Sequence, residues 1–112
     1  MDSVATFTGS AIKLPETAIS LLSFAESDSI HFTDTAWVFL PDHRVLSLKG
    51  YSQGGIMRYG KGKVAAFGEA AMFTAQLAGP SRFKVGFNAD VANQNCPFVL
   101  NLFYNLSPFL KE

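Results

Sequence analysis

Short apolar runs broken by glycine and proline dominate the first two thirds of the chain, and they read as strands. Residues 4–8, Val-Ala-Thr-Phe-Thr, are β-branched and aromatic, and Gly9-Ser10 follows as a turn. Residues 11–14 extend that strand and Pro15 stops it. In residues 18–24 the apolar positions 18, 19, 21, 22 and 24 fit neither period cleanly. A strand is favoured because little chain separates Pro15 from Asp28; a short helix after Pro15 is the alternative. Residues 25–42 are irregular and read as a loop with an apolar anchor at Trp37 to Leu40, able to cover a sheet edge or a partner surface.

The clearest pattern follows. Residues 44–49 read as a strand, and residues 51–55, ending in Gly54-Gly55, have turn or bulge chemistry. Residues 56–59 alternate as a strand, and Gly60-Lys61-Gly62 is a tight hairpin turn. Residues 63–68 are mostly apolar, as in a strand covered on both faces. Residues 69–76 are strong helix formers closed by Gly79-Pro80, with Ala70, Phe73 and Leu77 on one face. Residues 63–77 are therefore predicted as a strand–turn–helix unit. Residues 81–88 read as a loop. A second helix carries Phe98, Val99, Leu102, Phe103 and Leu106 as a stripe, with Asn101 and Asn105 opposite. Pro97 fits only near its start, and Pro108 ends it. Asn95 is the expected N-cap, or an earlier turn begins near Asn88 or Asp90. The expected fold is one α/β domain over residues 1–112, with a small mixed sheet and two main helices.

Composition narrows the function. Hydrophobic residues make up 48% and charged residues 16% of 112 positions, so a real core is possible without disulfides or metal. The 11 Phe are many for so short a chain, and some are expected to face a partner. Nine basic and nine acidic residues leave no net charge, hence no field to draw nucleic acid or an acidic membrane. A neutral chain with surplus apolar surface tends to self-associate, so a homodimer is expected. Cys96 is the sole cysteine, which excludes a disulfide framework and a paired-cysteine metal knuckle. The first residues lack a basic and apolar leader, and no apolar run approaches a membrane span. A cytoplasmic protein is the expectation, with no cofactor and no membrane partner.

Few residues carry candidate chemistry. Gly60-Lys61-Gly62-Lys63 lacks phosphate-loop spacing and precedes a strand, so it reads as a turn with solvated lysines. Glu69 stands at the strand-to-helix switch, where ligands bind in open α/β sheets. It could be a base, a metal ligand or a polar anchor, or it could simply cap its helix. The amides Gln53, Gln76, Asn88, Asn93, Gln94 and Asn95 could tie loops to backbone or surround a small polar ligand. The candidate ligand-binding set is Glu69, Gln53, Gln76 and Asn88. His31 and His43 have no metal-ligand spacing and read as exposed loop histidines. Cys96 sits at a helix start that could lower its thiol pKa, although a plain buried cysteine is simpler. No nucleophile elbow occurs at Gly68-Glu69, and no residue is singled out as catalytic. The reading is of a non-enzymatic protein; the alternative is a hydrolase or small-molecule-binding domain with Glu69 as the polar anchor and Gln53, Gln76 and Asn88 around it.

Three runs carry a resemblance: Gln53-Gly54; Gly60-Lys61-Gly62-Lys63-Val64 with Phe67-Gly68-Glu69-Ala70-Ala71-Met72-Phe73-Thr74-Ala75-Gln76; and Asn95-Cys96-Pro97-Phe98-Val99-Leu100-Asn101-Leu102. Together they resemble the C-terminal half of an uncharacterised bacterial family similar to the class I glutamine amidotransferase-like superfamily. Residues 4–12, with Phe7-Thr8-Gly9-Ser10, resemble that family's middle. The resemblance implies half of a flavodoxin-like sandwich, with Glu69 at its ligand-facing rim. Tyr104 and Asn105 stand where that family usually has a His-Trp pair, and the amidotransferase nucleophile elbow would lie in the N-terminal half that has no counterpart here. No amidotransferase activity carries over. Half a sandwich leaves an open edge and uncovered faces, which a second copy or a separate N-terminal partner chain would cover.

Overall fold

Gly60 takes a left-handed φ of 58° at the first of two turn residues, a backbone angle that a tight hairpin of the primed type needs. The turn joins β4 (Ser52–Tyr59) to β5 (Gly62–Phe67) in a continuous antiparallel ladder. β1 (Ile19–Ser23) pairs antiparallel with the other edge of β4, with register shifts on either side of Leu22. Strand order is β1-β4-β5. The computed structural model describes residues 3–35 and 38–107.

Two further hairpins stand apart from that sheet. β2 (Ser29–Phe32) pairs with β3 (Arg44–Ser47), and β6 (Ala75–Ala78) pairs with β7 (Phe83–Gly86), both antiparallel. Single 3-10 turns lie at Ala71–Phe73 and Asp90–Ala92. One α-helix, α1 (Asn95–Leu106), closes the described residues. Strands and helix combine as a broadly α/β chain. The expected mixed sheet with two main helices is corrected: every strand pair is antiparallel, and one helix of twelve residues is present among the described residues.

The missing helix is the one expected at residues 69–76. So short a segment holds few helical hydrogen bonds and is marginal alone. Here Ala75–Ala78 gains a ladder with β7 instead, and Phe87 donates its N–H to Thr74 O at 2.7 Å. The strand–turn–helix unit at residues 63–77 is thus a strand, a 3-10 turn and a second strand. The expected loops at 25–42 and 81–88 hold β2 and β7 because each is one arm of an antiparallel hairpin. Residues 51–55 are not a turn, because β4 begins at Ser52. Gly54 and Gly55 lie inside the strand, where a Cβ would fall 2.2 Å from the Phe67 ring and 2.4 Å from Leu14 Cδ1. Residues 4–8 form no ladder, although Ser10 and Ile12 just beyond them bond to Gly68 and Ser52. Trp37 and Pro108 lie outside the described residues, while Val38, Phe39 and Leu40 beside the former are exposed.

Burial is concentrated where β5, the Ala71–Phe73 turn and α1 meet. Phe67 stacks edge-on against Phe73 and Phe98, with ring centroids 5.1 and 6.0 Å away. Met72 and Asn95 are fully enclosed there. β5 is not covered on both faces as its apolar run predicts. Lys63, Ala65 and Phe67 turn toward α1, and Val64 and Ala66 are exposed. Among the described residues only Leu48, Met72, Ala92 and Leu102 are buried hydrophobics, which is a thin core for a chain this apolar. No helix of the described residues is long and apolar enough to cross a membrane.

Candidate functional site

The structure scatters the expected ligand-binding set. Glu69 leaves β5 after Gly68 and is buried, 2% exposed. Its Oε2 accepts the Met72 N–H at 3.0 Å, so the carboxylate caps the 3-10 turn that replaces its expected helix. Its Oε1 is buried without a hydrogen-bond partner. Gly9 closes over the side chain, since a Cβ there would meet Glu69 Cγ at 2.7 Å. The remaining amides are committed elsewhere. Gln53 Nε2 donates to Thr8 O at 3.1 Å, and Gln76 Nε2 donates to Thr74 Oγ1 at 2.8 Å. Asn88 Nδ2 donates to Gln76 O at 3.3 Å, so Gln76 and Asn88 do meet on the β6–β7 hairpin. Among the described residues no hydrogen bond joins Glu69 to a side chain of Gln53, Gln76 or Asn88.

The capping role makes a direct prediction. Replacing Glu69 with Ala leaves the Met72 N–H buried without an acceptor and costs about 1–3 kcal/mol. Glu69→Gln keeps an acceptor oxygen and loses less. Urea unfolding of the two variants checks the order; equal losses would mean that the charge matters and the cap does not.

Asn95 is the amide the sequence undervalues. It is the first residue of α1 and not its N-cap, a position held by Gln94. Asn95 Oδ1 accepts the Ala5 N–H at 2.8 Å, and Nδ2 donates to Ala5 O at 2.9 Å and to Met72 O at 3.5 Å. One buried side chain therefore pairs with residue 5 as a neighbouring strand would, and it ties the N-terminal segment to the core. A cap-like Asn followed by Cys-Pro is the only hint of this in the sequence.

Two other pairings correct the sequence expectations. His31 lies on β2 and its Nδ1 is 2.5 Å from His43 Nε2, with the Phe39 ring alongside. His43 Nδ1 contacts Leu40 O. The two histidines are thus a pair bridging the β2–β3 connection, because the register that sets His31 opposite Val45 brings His43 diagonally across from it. No group of three or more metal-ligating side chains forms among the described residues. Cys96 is exposed rather than buried, because α1 presents the opposite flank to the core.

A further concavity lies away from all of these residues. A groove of about 840 Å³ opens between α1 and the β1–β4–β5 sheet. Ile19, Ile56, Phe98 and Leu102 form apolar walls. Arg58 and Lys63 on the sheet and Asn101 and Asn105 on the helix supply its polar groups among the described residues. Lys63 Nζ donates to Asn105 O at 3.0 Å, a cation on the last turn of α1 where it complements the helix dipole. A smaller hollow of about 410 Å³ includes Gln53 and Asp28. Glu69 lines neither. No family model matches the chain, and no curated protein or solved structure is similar to it.

Proposed function

We propose that this chain is a non-catalytic α/β subunit that completes its fold by self-association. The observation that carries the reading is surface area. The chain exposes 8268 Å². A compact monomer of 12.2 kDa exposes about 6,100 Å². The excess, about 2,200 Å², matches one side of a large obligate interface, which buries roughly 2,000–5,000 Å² in total. Shape agrees: the radius of gyration is 16.1 Å, against about 13 Å for a compact domain of this length.

Large apolar side chains stand exposed on several elements. Val64 on β5 and Tyr59 on β4 are exposed, at 47% and 74%, on the sheet face away from α1. Leu100, Phe103 and Tyr104 are exposed on α1. The resemblance to half of a flavodoxin-like, amidotransferase-like sandwich supplies a reason. A half-sandwich would lack the strands and helices that cover the rest; the antiparallel pairing of the described strands departs from the parallel sheet of such a sandwich. The committed amides and the capping role of Glu69 favour structural work over a small polar ligand. The test is the mass of the chain in solution. A dimer is expected; a mass above two copies, or one that falls to a monomer at every concentration, opposes the reading.

A further inference from the structure

The spacing of His31 and His43 in the sequence matches no metal motif; the hairpin brings them together. In the β2–β3 ladder His31 stands opposite Val45, and Phe32 stands opposite Arg44. Successive side chains of a strand point to opposite faces. His31 and His43 therefore share the Val45 face. Arg44 is held on the other face, its guanidinium 4.6 Å over the Phe32 ring. His31 Nδ1 lies 2.5 Å from His43 Nε2, with ring centroids 4.8 Å apart. Phe39 lies edge-on to both rings, at 5.7 and 6.0 Å. Among the described residues neither ring bonds to a carboxylate.

Two ring nitrogens thus converge, and their protons follow from their partners. His43 Nδ1 contacts Leu40 O. A carbonyl oxygen only accepts, so Nδ1 carries the proton and Nε2 carries a lone pair aimed at His31. The neutral His31 ring donates from Nδ1 into that lone pair. The backing of His43 Nδ1 on a carbonyl is the outer-shell bond that metal-ligating histidines almost always make. It fixes the tautomer and the ring orientation, and it makes the far nitrogen a better donor to a metal.

We propose that His31 and His43 form a two-imidazole site for a first-row divalent ion of the zinc, nickel and copper class. Imidazole suits those ions, whereas magnesium and calcium take oxygen ligands. The ion replaces the proton between the rings. That proton moves from Nδ1 to Nε2 of His31, so the ring stays neutral and both converging nitrogens present lone pairs. At 2.0–2.1 Å per bond and a tetrahedral angle, the two nitrogens stand about 3.3 Å apart. The rings part by about 0.8 Å to admit the ion. His31 is exposed and His43 half-buried, so that shift disturbs no packed core and the ion has an entry path. No third metal-ligating side chain joins them among the described residues, which leaves the other positions to water. The ion would act as a clamp. β2 and β3 form a two-stranded sheet of their own, almost wholly exposed, and a lone hairpin is marginally stable at best in water. The inference does not depend on self-association.

The probe is Zn²⁺ alone, titrated above neutral pH into the full chain carrying Cys96→Ser, which removes an exposed thiol that would compete for the ion. Isothermal titration is expected to give one Zn²⁺ per chain. Adding His31→Ala or His43→Ala is expected to weaken binding about tenfold or more, with circular dichroism unchanged. Nitrogen NMR of the rings reads the site without either substitution. Bound Zn²⁺ is expected to shift His31 Nδ1 and His43 Nε2 and to place the His31 proton on Nε2. No saturable binding, undiminished affinity in either alanine variant, or a shift confined to one ring overturns the site. Each of these results leaves self-association as it stands.

Discussion

Asn95→Asp is expected to unfold most of the chain at neutral pH and to recover part of its stability in acid. The amide is fully buried and uses both ends on Ala5, with a third contact to Met72 O. Aspartate has the same shape. It keeps the acceptor for the Ala5 N–H, but it sets a second oxygen against the carbonyl oxygens of Ala5 and Met72. An uncompensated buried charge costs about 3–5 kcal/mol. That is a large share of the stability of a thinly cored small domain, which lies at the lower end of about 5–15 kcal/mol. Protonation turns the offending oxygen into a donor. The introduced carboxyl therefore has a folded-state pKa above its unfolded value of about 3.9. The relief is complete below the unfolded pKa and is lost as pH rises through the folded one. Asn95→Ala is expected to cost about 1–3 kcal/mol for each Ala5 group left without a partner, with no such acid recovery. Urea unfolding by circular dichroism across acid and neutral pH reads both; a pH-independent loss in the Asp variant would contradict the hydrogen-bond assignment.

Gly86→Ala is the second large effect, and Gly79→Ala is its control. Both glycines have left-handed φ angles, 75° and 71°. For an ordinary residue that conformation costs about 1–2 kcal/mol. A Cβ at Gly79 meets nothing within 4 Å. A Cβ at Gly86 falls 1.8 Å from Thr74 O and 2.6 Å from Ala71 O, both backbone atoms that cannot rotate away. Relieving that overlap parts the end of β7 from the Ala71–Phe73 turn and breaks the Phe87 N–H to Thr74 O bond. Gly86→Ala is expected to lose about 3 kcal/mol or more, against about 1 kcal/mol for Gly79→Ala. Equal losses would mean that β7 does not press on the turn as described.

The two positions show how unevenly the sequence reveals the fold. The Gly60-Lys61-Gly62 turn, β4 from Ile56 onward and the C-terminal helix are legible because their signals are local: turn chemistry, alternation and a helical stripe. The segment after Gly68 is not legible. Its Glu, Ala, Met and Gln side chains favour a helix, and a non-local partner, β7, decides otherwise through backbone bonds that composition does not record. Gly86 reads as one more loop glycine until Thr74 O is seen to lie where its Cβ would be. The candidate site fails for a related reason. Residue type alone groups Glu69 with the amides, but Glu69 and Gln76 are consumed by neighbours close in the chain, Gln53 by Thr8 O and Asn88 by Gln76 O. Asn95 works over the longest sequence distance of any amide here, which its cap-like position does not reveal.

Sedimentation velocity on the unmodified chain tests the central claim most directly, over concentrations from well below to well above one micromolar. The account predicts a species of about twice 12.2 kDa that dissociates only toward the dilute end. A compact, well-folded monomer of 12.2 kDa at every concentration would contradict it.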